Sequence, residues 1–133
     1  MLTRREEREQ AFILLFEKSF NAEVELAELY DMAAENEIIE DGNFTKTLLF
    51  KAWENVEEID AVIEKNSKGW KIGRISKVAL AVLRLAICEI LFIDDIPAGV
   101  SINEAVELCK KYAASDEPSF VNGILGTVAK EVK

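Results

Sequence analysis

Apolar residues recur at three- and four-residue spacing along most of the chain, and no stretch alternates apolar with polar over the length of a strand. That spacing lines one side of a helix and predicts an all-α protein. The first helix opens at Thr3, with Glu6 three positions on, the arrangement of a capping box. Its body, residues 11–16, is apolar nearly all round and is expected to be buried on several sides. A second helix is predicted within residues 22–34, followed by turn chemistry at Glu40, Asp41, Gly42 and Asn43. Phe44, Leu48, Ala52, Val56, Ile59 and Ile63 then predict one long third helix. It ends at Asn66, Ser67, Lys68 and Gly69, which reads as a boundary between two packed sub-bundles, residues 1–68 and 69–133 of one domain.

The second half opens with Trp70 to Ile75, the pattern of a short irregular helix. Ser76 is placed to cap the run VALAVLRLAICEILF, expected to be the central and most buried helix. Residues 94–99 break it. Ser101 and Glu104 have the spacing of a second capping box, predicted to open a helix that runs to Tyr112. After a break at 115–118, Pro118 suits the first turn of the last helix. The count is about three helices and then about four.

Composition narrows the function. The chain has 133 residues, half of them hydrophobic, enough for one domain with a sizeable core. No apolar run approaches the roughly 18 residues a membrane span needs, and the charged N-terminus lacks the apolar centre of a signal peptide, so a cytoplasmic protein is expected. Cys88 and Cys109 lack metal-ligand spacing and read as buried thiols. No cofactor or metal is expected. With no histidine to activate a nucleophile, no glycine-rich phosphate loop and no isolated carboxylate pair, the sequence does not describe an enzyme. The net charge is −9, all of it in residues 1–68, which carry 8 Lys/Arg against 17 Asp/Glu. Such a chain does not hold nucleic acid by bulk electrostatics. The excess acid either keeps the protein in solution or forms a surface for a basic partner.

Two features depart from this background. Arg4, Arg5 and Arg8 fall within an arc of about 100° at the start of the first helix. Cations there oppose the helix dipole, so their grouping suggests a phosphate partner. In SFVNGILG, residues 119–126, Ser119, Asn122, Gly123 and Gly126 project to one side of a helix and Val121, Ile124 and Leu125 to the other. The small-residue side admits either a second helix or a nucleic-acid strand, with Phe120 offering a stacking face and Asn122 hydrogen bonds. Arg84 and Glu89, inside the central apolar run, read as structural ion pairs with neighbouring helices.

Taken together, Trp70 to Ile75, AVLRLAICEIL, IPAGVSINEAVELCKKY, FVNGIL and the Arg4-Arg5…Arg8 start resemble the NusB family of transcription antitermination factors, in its order and spacing. The resemblance implies an all-α fold of two helical sub-bundles and a role without catalysis. It implies pairing with NusE, a basic small-subunit ribosomal protein, and binding of single-stranded boxA RNA within an RNA polymerase antitermination complex. It assigns RNA contacts to Arg4, Arg5, Arg8, Phe120 and Asn122, with Gly123 allowing close approach. Ser119, Ala79 and Gly126 depart from the family pattern. Two other readings stand beside it. One is a helical interaction module, possible as a homodimer through the Ser119–Gly126 stripe, that makes no RNA contact. The other is a stand-alone relative of the helical domain that precedes certain ribosomal-RNA methyltransferases.

Overall fold

A computed structural model describes residues 2–67 and 71–132. Among these residues seven α-helices follow one another: α1 (Arg4–Lys18), α2 (Leu26–Glu35), α3 (Asn43–Glu54), α4 (Val56–Asn66), α5 (Lys77–Phe92), α6 (Ala98–Tyr112) and α7 (Glu117–Val132), with a 3-10 turn at Ile72–Arg74 before α5. No strand occurs among the described residues. None of these helices is long and apolar enough to cross a membrane.

The capping box of α1 forms as its spacing predicts. Glu6 N–H donates to Thr3 Oγ1 at 3.1 Å and Thr3 N–H donates to Glu6 Oε1 at 2.8 Å. Ser76 likewise caps α5 by accepting from Ala79 N–H at 3.1 Å. Ten of the residues in α5 are buried, and it packs against α1, α3, α4, α6 and α7, so it is the central helix the apolar run predicts.

Three expectations are corrected. The second helix, predicted within residues 22–34, occupies Leu26–Glu35 and leaves Val24 outside it, because the chain after α1 turns around a buried lysine. Lys18 Nζ donates to the carbonyls of Asn21, Ala22 and Val24, and Val24 N–H donates to Asn21 O at 3.0 Å, so the stretch is held as a turn. The long third helix is two helices. Asn55 lies between them at φ −110°, ψ 21°, outside the helical well, and its side-chain amide donates to Lys51 O at 2.9 Å. An asparagine that satisfies the carbonyl four residues back competes with helix continuation, and the apolar repeat on both sides hides the break. Four helices therefore precede residue 68, and three follow with the 3-10 turn. Finally, Ser101 and Glu104 do not cap α6. The helix begins a turn earlier, with Pro97 at the cap position, which leaves both side chains inside the helix and available to other partners.

The predicted boundary begins where α4 ends, at Asn66, whose amide donates to Val62 O at 2.9 Å; Lys68, Gly69 and Trp70 lie outside the described residues. One apolar core draws on α1, α2, α3, α4, α5, α6 and α7. Arg84 crosses from α5 to α4, where Asp60 accepts both arms of its guanidinium at 2.8 Å, as the structural reading of that arginine anticipated.

Candidate nucleic-acid interface

The N-terminal tip of α1 meets α6. Arg4, Arg5 and Arg8 leave one side of α1 but reach three different environments. Arg4 is exposed, with its guanidinium 4.2 Å from the centre of the Phe44 ring. That contact holds the cation in place while leaving its hydrogen-bond donors open to an acceptor. Arg5 is also exposed, and its planar fork closes on Glu104: Nε donates to Oε1 at 2.9 Å and Nη2 to Oε2 at 2.7 Å. These hydrogen bonds raise the Arg5 pKa above its ordinary value and hold the Glu104 carboxyl below the usual glutamate value. Arg8 turns inward. Its side chain is 5% exposed and grips Glu89 at 2.6 and 3.0 Å, while the Ser101 hydroxyl donates to the same carboxylate at 2.8 Å.

A charge removed from water is tolerated only where its lone pairs meet donors. Glu89 meets three, from α1 and α6, and so ties both helices to the end of α5. Arg8 thus fixes the direction of the arginine tip from within, although the helical projection groups it with Arg4 and Arg5. A groove of about 380 Å³ runs from this tip along α1 and α6, past Glu9, Lys110 and Lys111. Burial pushes the Glu9 carboxyl up, but hydrogen bonds from Lys111 Nζ at 2.7 Å and from the Tyr112 hydroxyl outweigh it and leave it below its ordinary value.

The second cluster lies in the first turns of α7. Val121, Ile124 and Leu125 are buried, whereas Ser119, Asn122 and Gly123 are exposed and Gly126 is half-buried. The two-sided projection of SFVNGILG is therefore realised. A Cβ placed on Gly123 or Gly126 would meet nothing within 4 Å. No second helix of this chain packs on the stripe among the described residues, so its small side chains leave the α7 backbone open to an outside molecule. Phe120 is half-buried between two grooves, one edged by Arg74, Ser76 and Glu117, the other by Asn66, Ser67 and Gly123.

The two clusters stand at opposite ends of α5. Arg8 is paired to Glu89 near its C-terminus, and the cap residue Ser76 donates to Glu117 in the first turn of α7. Thirteen residues at 1.5 Å each separate them by roughly 20 Å along the helix. Any ligand touching both must be extended. Sequence reasoning missed Glu104, Lys111 and Tyr112 as parts of this surface. Ser101 and Glu104 carry the spacing of a helix cap, and only tertiary structure shows that both serve the arginines of α1. Both thiols are buried in the core, which pushes Cys88 up to about 12 and Cys109 up to about 11 and keeps them from reacting.

The fold has counterparts. The NusB family model matches residues 5–130. The transcription antitermination protein NusB of Natranaerobius thermophilus is 43% identical over 135 residues, covering 98% of this chain and 97% of that one. The structure of T. maritima NusB matches with a TM-score of 0.87 and 34% identity, covering 98% of this chain and 92% of that chain. A chain in the crystal structure of antitermination factors NusB and NusE in complex with dsRNA matches with a TM-score of 0.85 and 31% identity, over 96% of each. With the family model spanning all but the chain's ends, and relatives of this identity matching nearly its whole length, the chain belongs to the NusB family, a family of transcription antitermination factors and not of enzymes.

Proposed function

We propose that this antitermination factor binds boxA-type single-stranded leader RNA together with NusE, in the cytoplasm, and so promotes processive transcription of ribosomal RNA by polymerase within an antitermination complex. The observation that carries the reading is the likeness to a chain in the structure of NusB and NusE in complex with dsRNA, over 96% of this chain. The surface agrees with it. Arg4 and Arg5 present guanidiniums to solvent at one end of α5, and at the other Asn122 and Gly123 are exposed beside a half-buried Phe120. An extended single strand suits two contact points about 20 Å apart, with phosphates at the arginines and a base against Phe120. In this reading residues 1–133 act as one domain, and Arg8 contributes by holding the tip rather than by touching RNA.

Affinity is set by the partner. A chain of net charge −9 repels a polyanion, so a basic NusE must supply much of the attraction. Anisotropy titrations of labelled boxA-type and scrambled RNA, with and without NusE, test this. The boxA RNA is expected to bind at least tenfold more tightly with NusE present, with Arg5→Glu and Phe120→Ala each weakening the ternary complex. Equal binding of both RNAs, whatever the NusE concentration, contradicts the proposal. If RNA binding is absent and Gly123→Leu breaks a dimer in solution, the stripe is a self-association surface.

A further inference from the structure

The fork of Arg5 is already filled. Glu104 takes both of its parallel donors, at 2.9 and 2.7 Å, in the bidentate geometry by which an arginine binds a phosphate. The two partners differ in exposure: the Arg5 side chain is 66% exposed and the Glu104 side chain 13%. The carboxylate therefore reaches the guanidinium from the protein side, and a ligand approaching from solvent meets a cation whose strongest donors are turned inward. Glu104 has a second cation at hand, because Arg8 Nη1 lies 3.6 Å from its Oε1. The Arg8–Glu89–Ser101 joint beneath is satisfied without Glu104.

We propose that Glu104 is an internal competitor for the phosphate site of Arg5, and that RNA binds this end of the molecule by displacing the carboxylate from the guanidinium fork. The inference rests on the RNA-binding reading above and assigns to Glu104 the setting of RNA affinity. In the closed arrangement Glu104 bridges Arg5 and Arg8. In the open one it keeps Arg8 while Arg5 turns its fork to a phosphate oxygen pair. Exchange of one anion for another is nearly balanced, so a phosphate wins only when other contacts hold the strand in place. Isolated anions and poorly matched strands are thereby rejected. Glu107, one turn further along α6 and paired with Lys110 at 3.3 Å, carries the same charge nearby without occupying the fork.

The test compares the wild type with Glu104→Gln, Glu107→Gln, Arg5→Gln and the Arg5→Gln/Glu104→Gln pair. Each is titrated in the presence of NusE at low salt against the same fluorescein-labelled boxA-type RNA. Glu104→Gln is expected to bind about two- to fivefold more tightly than wild type, the range an exposed ion pair supports. Glu107→Gln should gain less, and the gain from Glu104→Gln should vanish once Arg5 is glutamine. An equal gain in Glu107→Gln, or one that survives Arg5→Gln, shows only a general charge effect and overturns the proposal, as does an unchanged or weaker Glu104→Gln. Because that variant could unfold, side-chain NMR of the wild type gives an independent reading. The Arg5 Nε–H signal should move on RNA addition while that of Arg8 stays, and an unmoved Arg5 signal overturns the proposal. If no variant binds RNA even with NusE, the RNA-binding reading falls with it. If the wild type binds and only the Glu104 effect is missing, the inference alone falls.

Discussion

Arg8 and Glu89 form the most deeply buried ion pair among the described residues. Both are buried, they meet at 2.6 Å, and they join helices 81 residues apart in sequence. Glu89→Leu would leave the buried guanidinium with only Glu104, 3.6 Å from its Nη1, as a counter-charge and is expected to cost about 3 kcal/mol, read from the midpoint of urea unfolding. Replacing both partners by leucine should cost clearly less than that single change, because no charge is then left stranded. At this scale the sequence was half legible. It marked Glu89 as a buried charge needing a partner, since a carboxylate in an apolar run has no other way to be stable. It could not name Arg8, because helical projection sorts side chains by angle, and angle does not separate the arginine that folds inward from the two that do not.

Among the elements, the start of α3 has the most instructive construction. Gly42 occupies the cap position and has no side chain to offer, yet Thr45 N–H is satisfied at 3.1 Å by Glu7 Oε1, reaching over from α1. The carboxylate needs the space beside Gly42: a Cβ there would stand 2.2 Å from Glu7 Oε1. Gly42→Ala is therefore expected to push Glu7 away and cost about 1 kcal/mol, the ordinary worth of an N-cap. In a Glu7→Ala background the same change should cost much less, and a thermal-melt cycle over the four proteins measures the difference. Element boundaries were legible where the cap is local, as at Thr3 and Ser76. They were illegible where the cap comes from another helix, as here, or where a cap-like spacing is used for something else, as at Ser101 and Glu104. Asn55 belongs with the latter: the apolar repeat continues through it and its backbone does not.

Over the whole molecule, charge decides how stability answers to acid. Glu104 is held below its ordinary value by Arg5, Asp41 is held down by the Tyr30 hydroxyl and Lys46, and Glu9 by Lys111 and Tyr112 once its burial is overcome. A carboxyl depressed in the folded state adds stability that is present above its unfolded value, 4.5 for a glutamate, and is lost as pH falls through the lower folded value. The urea midpoint should accordingly hold between neutrality and about pH 5 and decline below about pH 4.5, with Glu104→Gln showing a shallower decline. The all-α class and the central helix were readable at this scale because periodicity is a local record of a global face. The roughly 20 Å of α5 that lies between the two clusters was not, since nothing in the sequence states which end of α5 the tip of α1 or the start of α7 meets. The joints that hold the tip also bear on how a ribosome releases this protein. Arg5 with Glu104, Glu9 with Lys111 and Arg8 with Glu89 close loops of 99, 102 and 81 residues, whereas Glu7 with Thr45 closes only 38. At about 5–20 residues per second, α1 emerges roughly 5–20 seconds before α6 is complete. It can settle early against α3, but the side destined for α5 and α6 stays bare during that wait, which makes the nascent first helix a natural client for a chaperone.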